Sequence, residues 1–290
     1  MDFLNGGKKL RERLAQPGIL SLPGVYDALS AKVAQDVGFD ALVMGGYAIA
    51  ASRLGQPDVG YLSMTEMAEA LKTITRAVDI PVIADGDTGY GNALSVQRTL
   101  REYELNGAAG VLFEDQVWPK RCGHMAGKQV IDAEEHARKI RAAADAKLHP
   151  ETLLIARTDA RAVLGLDAAI ERGKRYLDSG ADALFIEAPQ NEQELEQICR
   201  SFPDTILIAN MIEGGSTPNL TDKDLENMGF KIVFYPCTLV YTVTKALRDV
   251  LTKLHEDGST LGARDLMLSF SEFNKYIGLE KYNELDKKYR

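Results

Sequence analysis

The stretch LDAAIERGKRYLDSGADALFIEA, residues 166–188, contains in small the unit from which the whole chain is built. Residues 166–178 carry a helical, amphipathic pattern. Ser179-Gly180 ends it, because glycine just past a helix takes the left-handed conformation without a Cβ penalty. An apolar run then ends abruptly in Glu187. That run does not alternate with polar residues, which is how a strand buried on both faces of a parallel sheet reads. The same passage from helix through glycine to strand recurs at VGFDALVM with Gly38, NGAAGVLF with Gly107 and MGFKIVFY with Gly229.

Working outward, apolar runs fall at 18–26, 41–44, 80–85, 110–115, 152–159, 183–188, 205–210 and 231–236, most preceded by helical stretches such as 64–77 and 132–146. Eight strands alternating with eight helices predict a (β/α)8 TIM-type barrel. A doubly wound open sheet is the runner-up, but no G-x-G-x-x-G phosphate turn follows an early strand. The chain is read as a single barrel domain, 1–290. Residues 238–256 form its eighth helix, and 257–290 a C-terminal helical extension with helices at 263–275 and 279–288. Surplus apolar-faced helices of this kind pack against a partner subunit.

The composition narrows the function. The 290 residues carry 34 Lys and Arg against 42 Asp and Glu, a net charge of −8, which argues against a nucleic-acid partner. No apolar run approaches the length of a membrane span, so no membrane partner is expected. The charged start MDFLNGGKKLRERLAQ lacks the apolar core of a signal peptide. Three widely spaced cysteines, Cys122, Cys199 and Cys237, fit a reducing, cytoplasmic setting.

In a barrel the chemistry stands at the C-terminal strand ends. Read in order, these ends supply Gly45, Gly46 and Tyr47 with Asp58 following, then Asp85 and Asp87, Glu114 and Asp115, Arg157 and Asp159, Glu187, and finally Asn210 and Glu213. Asp85 and Asp87 point to one side of an extended strand end. With Glu114 and Asp58 they make an all-oxygen cluster that suits Mg²⁺, with Mn²⁺ as a substitute. The alternative is a turn merely rich in Asp and Gly. Arg157 is placed to take a substrate carboxylate, or to bridge the mouth to Asp159 or Glu187. Cys122 lies in the loop WPKRCGHMAGK (118–128), hinged by Gly123 and Gly127. Its neighbours Lys120, Arg121 and His124 are expected to depress its pKa. Cys199 and Cys237 read as small buried hydrophobes. His136, His149 and His255 read as solvated, so no histidine metal site is expected.

The motifs KRCGH (120–124), DGD (85–87), EDQ (114–116), ARTDA (156–160) and LGQPD (54–58) together closely resemble the isocitrate lyase/phosphoenolpyruvate mutase superfamily. The resemblance covers essentially the whole chain, and the cysteine motif is specific to the carbon–carbon lyase branch. It implies a barrel whose eighth helix is swapped within a homodimer, two such dimers forming a tetramer. It also implies Mg²⁺ on Asp85, with Asp87, Glu114 and Asp58 partly through waters. A dicarboxylate substrate would lie on that metal and on Gly45, Gly46, Tyr47 and Arg157, with Gly123, Glu187 and Asn210 around it. Cys122 would then be the proton donor, assisted by Lys120, His124 and Glu187.

Branch members that cleave a tricarboxylic acid carry two further arginines, whose matching positions here are Tyr241 and Phe270. Losing two cations would leave a third carboxylate unpaired in a closed site. That departure favours 2,3-dimethylmalate, cleaved to pyruvate and propionate. The alternatives are methylisocitrate cleavage to pyruvate and succinate, oxaloacetate hydrolysis, and a non-enzymatic assembly barrel.

Overall fold

The computed structural model describes residues 5–125 and 127–290, so the first four residues of the charged start and Ala126 of the Cys122 loop lie outside it. Among the described residues eight parallel strands close into a barrel in sequence order: β1 (Leu20–Val25), β2 (Leu42–Met44), β3 (Val82–Asp85), β4 (Gly110–Glu114), β5 (Leu153–Thr158), β6 (Ala183–Ile186), β7 (Ile206–Asn210) and β8 (Ile232–Tyr235). The ring is closed by β1 against β8, with Leu22 opposite Phe234.

The unbroken apolar runs are explained by two cores. Leu112, Ile155, Phe185 and Phe234 point into the barrel, where helix Gly6–Leu14 adds Leu10 and Leu14. Their strand neighbours Val111, Phe113, Leu154 and Ala156 point out, under the helices. Gly38 and Gly229 cap their helices in the left-handed region at φ 106° and 116°, and Gly107 and Gly180 take φ 88° and 102°. The reading of these glycines as helix stops therefore holds.

Three details differ from the sequence reading. A helix, Gly46–Leu54, starts at once after β2, so Gly45 and Gly46 open a helix where a loop was expected. The helix expected over 263–275 is a 3-10 turn, Leu261–Leu266, and a separate helix, Phe270–Tyr276. Ser269 and Glu272 form a reciprocal cap there, which restarts the helix and breaks the longer pattern. His136, read as solvated, is wholly buried edge-on to Tyr176, and burial pulls its pKa down to about 3.

The chain divides into two compact units, Met1–Val240 and Tyr241–Arg290, and helix Thr238–Asp257 runs across the division. No helix among the described residues is long and apolar enough to cross a membrane.

Candidate active site

Twelve of the residues singled out above, from Gly45 to Asn210 in the chain, line one cavity of about 60 Å³ at the C-terminal mouth of the barrel: Gly45, Gly46, Tyr47, Asp58, Asp85, Lys120, Cys122, Gly123, His124, Arg157, Glu187 and Asn210. Asp87 and Glu114 are not part of the lining but contact it, Asp87 through Lys120 and Glu114 through Arg157. Arg121, expected only as a neighbour of Cys122, also lines the cavity, together with Ile212, Pro236 and Cys237, which were not foreseen there.

Asp85 is held by backbone. Its Oδ2 accepts from the Gly46 N–H at 3.1 Å, at the positive end of helix 46–54, and its Oδ1 from the Asp87 N–H at 2.9 Å. Gly46 allows this crowding, since a Cβ there would lie 3.2 Å from Lys120 Nζ and 3.5 Å from Asp85 Oδ2. Asp87 itself sits in the left-handed region at φ 48°, as does Ala188 after β6 at φ 58°. Such strain collects where surrounding structure over-determines a functional site.

The charge arrangement corrects one expectation. Lys120 does not face Cys122. Its ammonium lies 2.7 Å from both Asp58 Oδ2 and Asp87 Oδ1, with only 3% of its side chain exposed. The thiol is therefore not depressed but raised, chiefly by burial, with the His124 backbone N–H and Arg157 opposing and Asp58 and Glu187 reinforcing. Adjacency along the chain suggested a thiolate, whereas the fold keeps Cys122 a thiol.

Arg157 lies over the Phe185 ring at 5.2 Å and joins three carboxylates. Its Nε is 2.9 Å from Asp159 Oδ2, 3.3 Å from Glu114 Oε2 and 3.8 Å from Glu187 Oε2. The bridging role considered in the sequence is thus realised, without excluding a substrate anion. Despite burial, Arg157 and Lys128 hold Asp159 down to about 2. Burial is likewise overcome at Glu187, where Arg157 and His124 keep the carboxyl below its usual range. The His124 Nδ1 accepts from the Ser216 N–H at 2.9 Å, so the ring proton sits on Nε2, 2.7 Å from Glu187 Oε1. Asn210 Nδ2 donates to the same carboxylate at 3.3 Å.

Asp115 is spent on structure. It accepts from Thr158 Oγ1, the Asp159 N–H, Arg172 Nη1 and Tyr176 OH at 2.7–2.9 Å, which pins the end of β4 to that of β5 and sets Glu114 opposite Arg157. Glu213 is exposed and accepts from Thr238.

Four carboxylates, Asp58, Asp85, Asp87 and Glu114, share Lys120 and Arg157 as their nearby cations. The shortfall shows in the acidities of Asp87 and Glu114. Burial, opposed by Lys120 and reinforced by Asp85 and Asp58, lifts Asp87 to about 6, and burial lifts Glu114 well above its usual range despite Arg157. Glu114 Oε1 is buried with no hydrogen-bond partner. A hard divalent cation fits this donor set. Among the described residues no three His, Cys, Asp or Glu side chains converge as a closed cage, so such an ion would bind through few carboxylates and keep waters.

Sequence reading missed Lys128 and Tyr90. Lys128 follows Gly127, a hinge the sequence did flag, and the Tyr90 OH donates to Asp87 Oδ2 at 2.9 Å.

Residues 10–255 match the family model described as phosphoenolpyruvate phosphomutase. A relative named 2,3-dimethylmalate lyase, from Eubacterium barkeri, is 48% identical over 99% of this chain and 99% of its own. Another, named chloroplastic carboxyvinyl-carboxyphosphonate phosphorylmutase, from Arabidopsis thaliana, is 48% identical over 95% of this chain and 82% of its own. A solved oxaloacetate acetylhydrolase in complex with 3,3-difluorooxalacetate superposes with a TM-score of 0.93 at 35% identity, covering 98% of this chain and 97% of that one.

Proposed function

The chain belongs to the phosphoenolpyruvate mutase/isocitrate lyase superfamily, and from that premise we propose that it is a Mg²⁺-dependent carbon–carbon lyase that cleaves 2,3-dimethylmalate to pyruvate and propionate. The observation that carries the reading is Cys122. It is kept as a protonated thiol in the same cavity as Arg157, Asp85 and Glu187, where a general acid that protonates carbon is useful and a phosphoryl-transfer enzyme has no need of one. Arg157 and the Gly45–Tyr47 segment take the carboxylate of the 2-hydroxy acid half. Transfer of the C2 hydroxyl proton to water lets the O–H electron pair form the pyruvate carbonyl as the C2–C3 bond breaks with its pair on C3. The other half departs as a carboxylate enediolate, and the Cys122 thiol delivers its proton to that carbon to give propionate. Water afterwards returns a proton to the Cys122 thiolate. Glu187, fixed by His124 and Asn210, orients the loop bearing Cys122. A Mg²⁺ ion on Asp85, with Asp58, Asp87 and Glu114 reached partly through water, would supply positive charge to the oxyanion that develops.

The substrate is tested by pyruvate release with Mg²⁺, offering 2,3-dimethylmalate and 2-methylisocitrate side by side. The expected result is a kcat/KM at least roughly tenfold higher for dimethylmalate, the scale of one badly paired carboxylate. A second reading, methylisocitrate cleavage, is favoured by one observation, the presence of Arg121 in the cavity wall. Preference for methylisocitrate selects it. Oxalate and acetate from oxaloacetate, with no pyruvate from either acid, would overturn both.

The same reading places the protein in the cytoplasm as a homotetramer built from helix-swapped dimers. Val243, Leu247, Leu251 and Leu254 recur at helical spacing along 238–257 and are each at least 39% exposed, an apolar stripe suited to a second copy. Light scattering is expected to give four times the 31.8 kDa chain mass, and a monomer would contradict it.

A further inference from the structure

We propose that Lys128 is a positioning residue: it seats the Cys122–Gly123–His124 turn for proton delivery by tying the Gly123 carbonyl to the Asp159–Arg157 pair. The inference rests on the reading of Cys122 as the proton donor.

Only 2% of the Lys128 side chain is exposed, and its Nζ donates to Asp159 Oδ1 at 2.8 Å and to the Gly123 carbonyl. A lysine that merely ended a surface loop would keep its ammonium in water, because burying it is costly without partners. Here the partners are specific. Asp159 is the carboxylate that grips Arg157 through Nε at 2.9 Å and Nη2 at 3.1 Å. Gly123 rests directly on Arg157 of that pair and on Glu187, since a Cβ there would lie 2.3 Å from Arg157 Nη2 and 2.7 Å from Glu187 Cδ. Gly127, at φ +81°, turns the chain back so that Lys128 can reach a carbonyl five residues earlier.

The turn is anchored from its other side as well. Gln116 holds Arg121 through two hydrogen bonds of 2.9 and 3.0 Å, and the Cys122 N–H donates to the Asp58 carbonyl at 3.2 Å. Lys128 supplies the downstream anchor. Without it the thiol stays attached to the loop but loses its fixed direction, while Arg157 and the Gly45–Tyr47 segment still bind substrate.

The test compares wild type with Lys128→Met. Iodoacetamide labelling of Cys122, followed by peptide mass spectrometry without substrate, is expected to run at least tenfold faster in the variant. With 2,3-dimethylmalate and Mg²⁺, kcat is expected to fall roughly tenfold to a hundredfold, the usual cost of a misplaced reacting group, while KM changes less than threefold. Labelling and kcat both within twofold of wild type in folded protein would overturn the proposal. Should Lys128→Met not fold, the same comparison on Lys128→Gln decides it. A wild type that releases no pyruvate sinks the proposed reaction, and the labelling comparison, which needs no substrate, still tests Lys128.

Discussion

Replacing Cys122 by serine is expected to lower kcat on 2,3-dimethylmalate by roughly 10²–10⁴-fold, the range for a lost general acid. Serine keeps nearly the same shape and can still be held by the Asp58 carbonyl through its backbone N–H, so the thermal midpoint should stay close to wild type. What it loses is acidity. An alcohol cannot release a proton to an enediolate as readily as a thiol can. The pH profile gives a second reading of the same residue. The acid form must be the protonated one, and burial holds the Cys122 pKa above its ordinary 9.0. Activity controlled by this group should therefore be flat up to pH 9 and fall only beyond it. A rate that climbed as pH rose through that range would mean the thiolate is the active form, and the acid assignment would be wrong.

Asp85→Asn is the other large effect. The amide keeps the size of the side chain and an acceptor for one of the two backbone N–H groups that the carboxylate now holds, from Gly46 and Asp87. It removes the charge proposed to carry Mg²⁺. Removing a metal's charge stabilisation costs several kcal/mol of barrier, so kcat/KM is expected to fall by about 10³-fold. The role has a readout apart from turnover. Mn²⁺ binding, followed by electron paramagnetic resonance, should be lost in Asp85→Asn and present in wild type. Because Asp87 and Glu114 are already crowded carboxylates, losing one charge beside them should not reduce the melting temperature. Unchanged Mn²⁺ affinity in the variant would remove Asp85 from the metal site.

The barrel was legible because burial on both faces leaves a pattern that few other arrangements leave. Val111, Leu112 and Phe113 follow one another in sequence yet go to opposite cores, which only a two-sided strand permits. The mouth was legible because the polar residues at the ends of such strands are more than the packing of a bare scaffold requires. The relations between those residues were less so. Lys120 is two residues from Cys122 in the chain, but it is drawn to Asp58 and Asp87, 62 and 33 positions away, and no spacing rule encodes that. Asp115 looked like its neighbour Glu114 until Arg172 and Tyr176 were seen to converge on it. His136, by contrast, carried a readable signal: it shares a helical face with Ile140 and Ala143, both wholly buried. The break before Phe270 was also encoded, in the Ser269–Glu272 cap, and was masked by the apolar run around it.

In the proposed reaction the enediolate is protonated on carbon by one fixed group of the enzyme. The most direct test is to run the reaction on 2,3-dimethylmalate with Mg²⁺ in D₂O and determine the configuration at C2 of the propionate. One deuterium at C2 and a single configuration are expected, because the Cys122 deuteron arrives on one face only. An equal mixture of the two configurations would mean the enediolate is quenched by solvent, and would contradict protonation by Cys122.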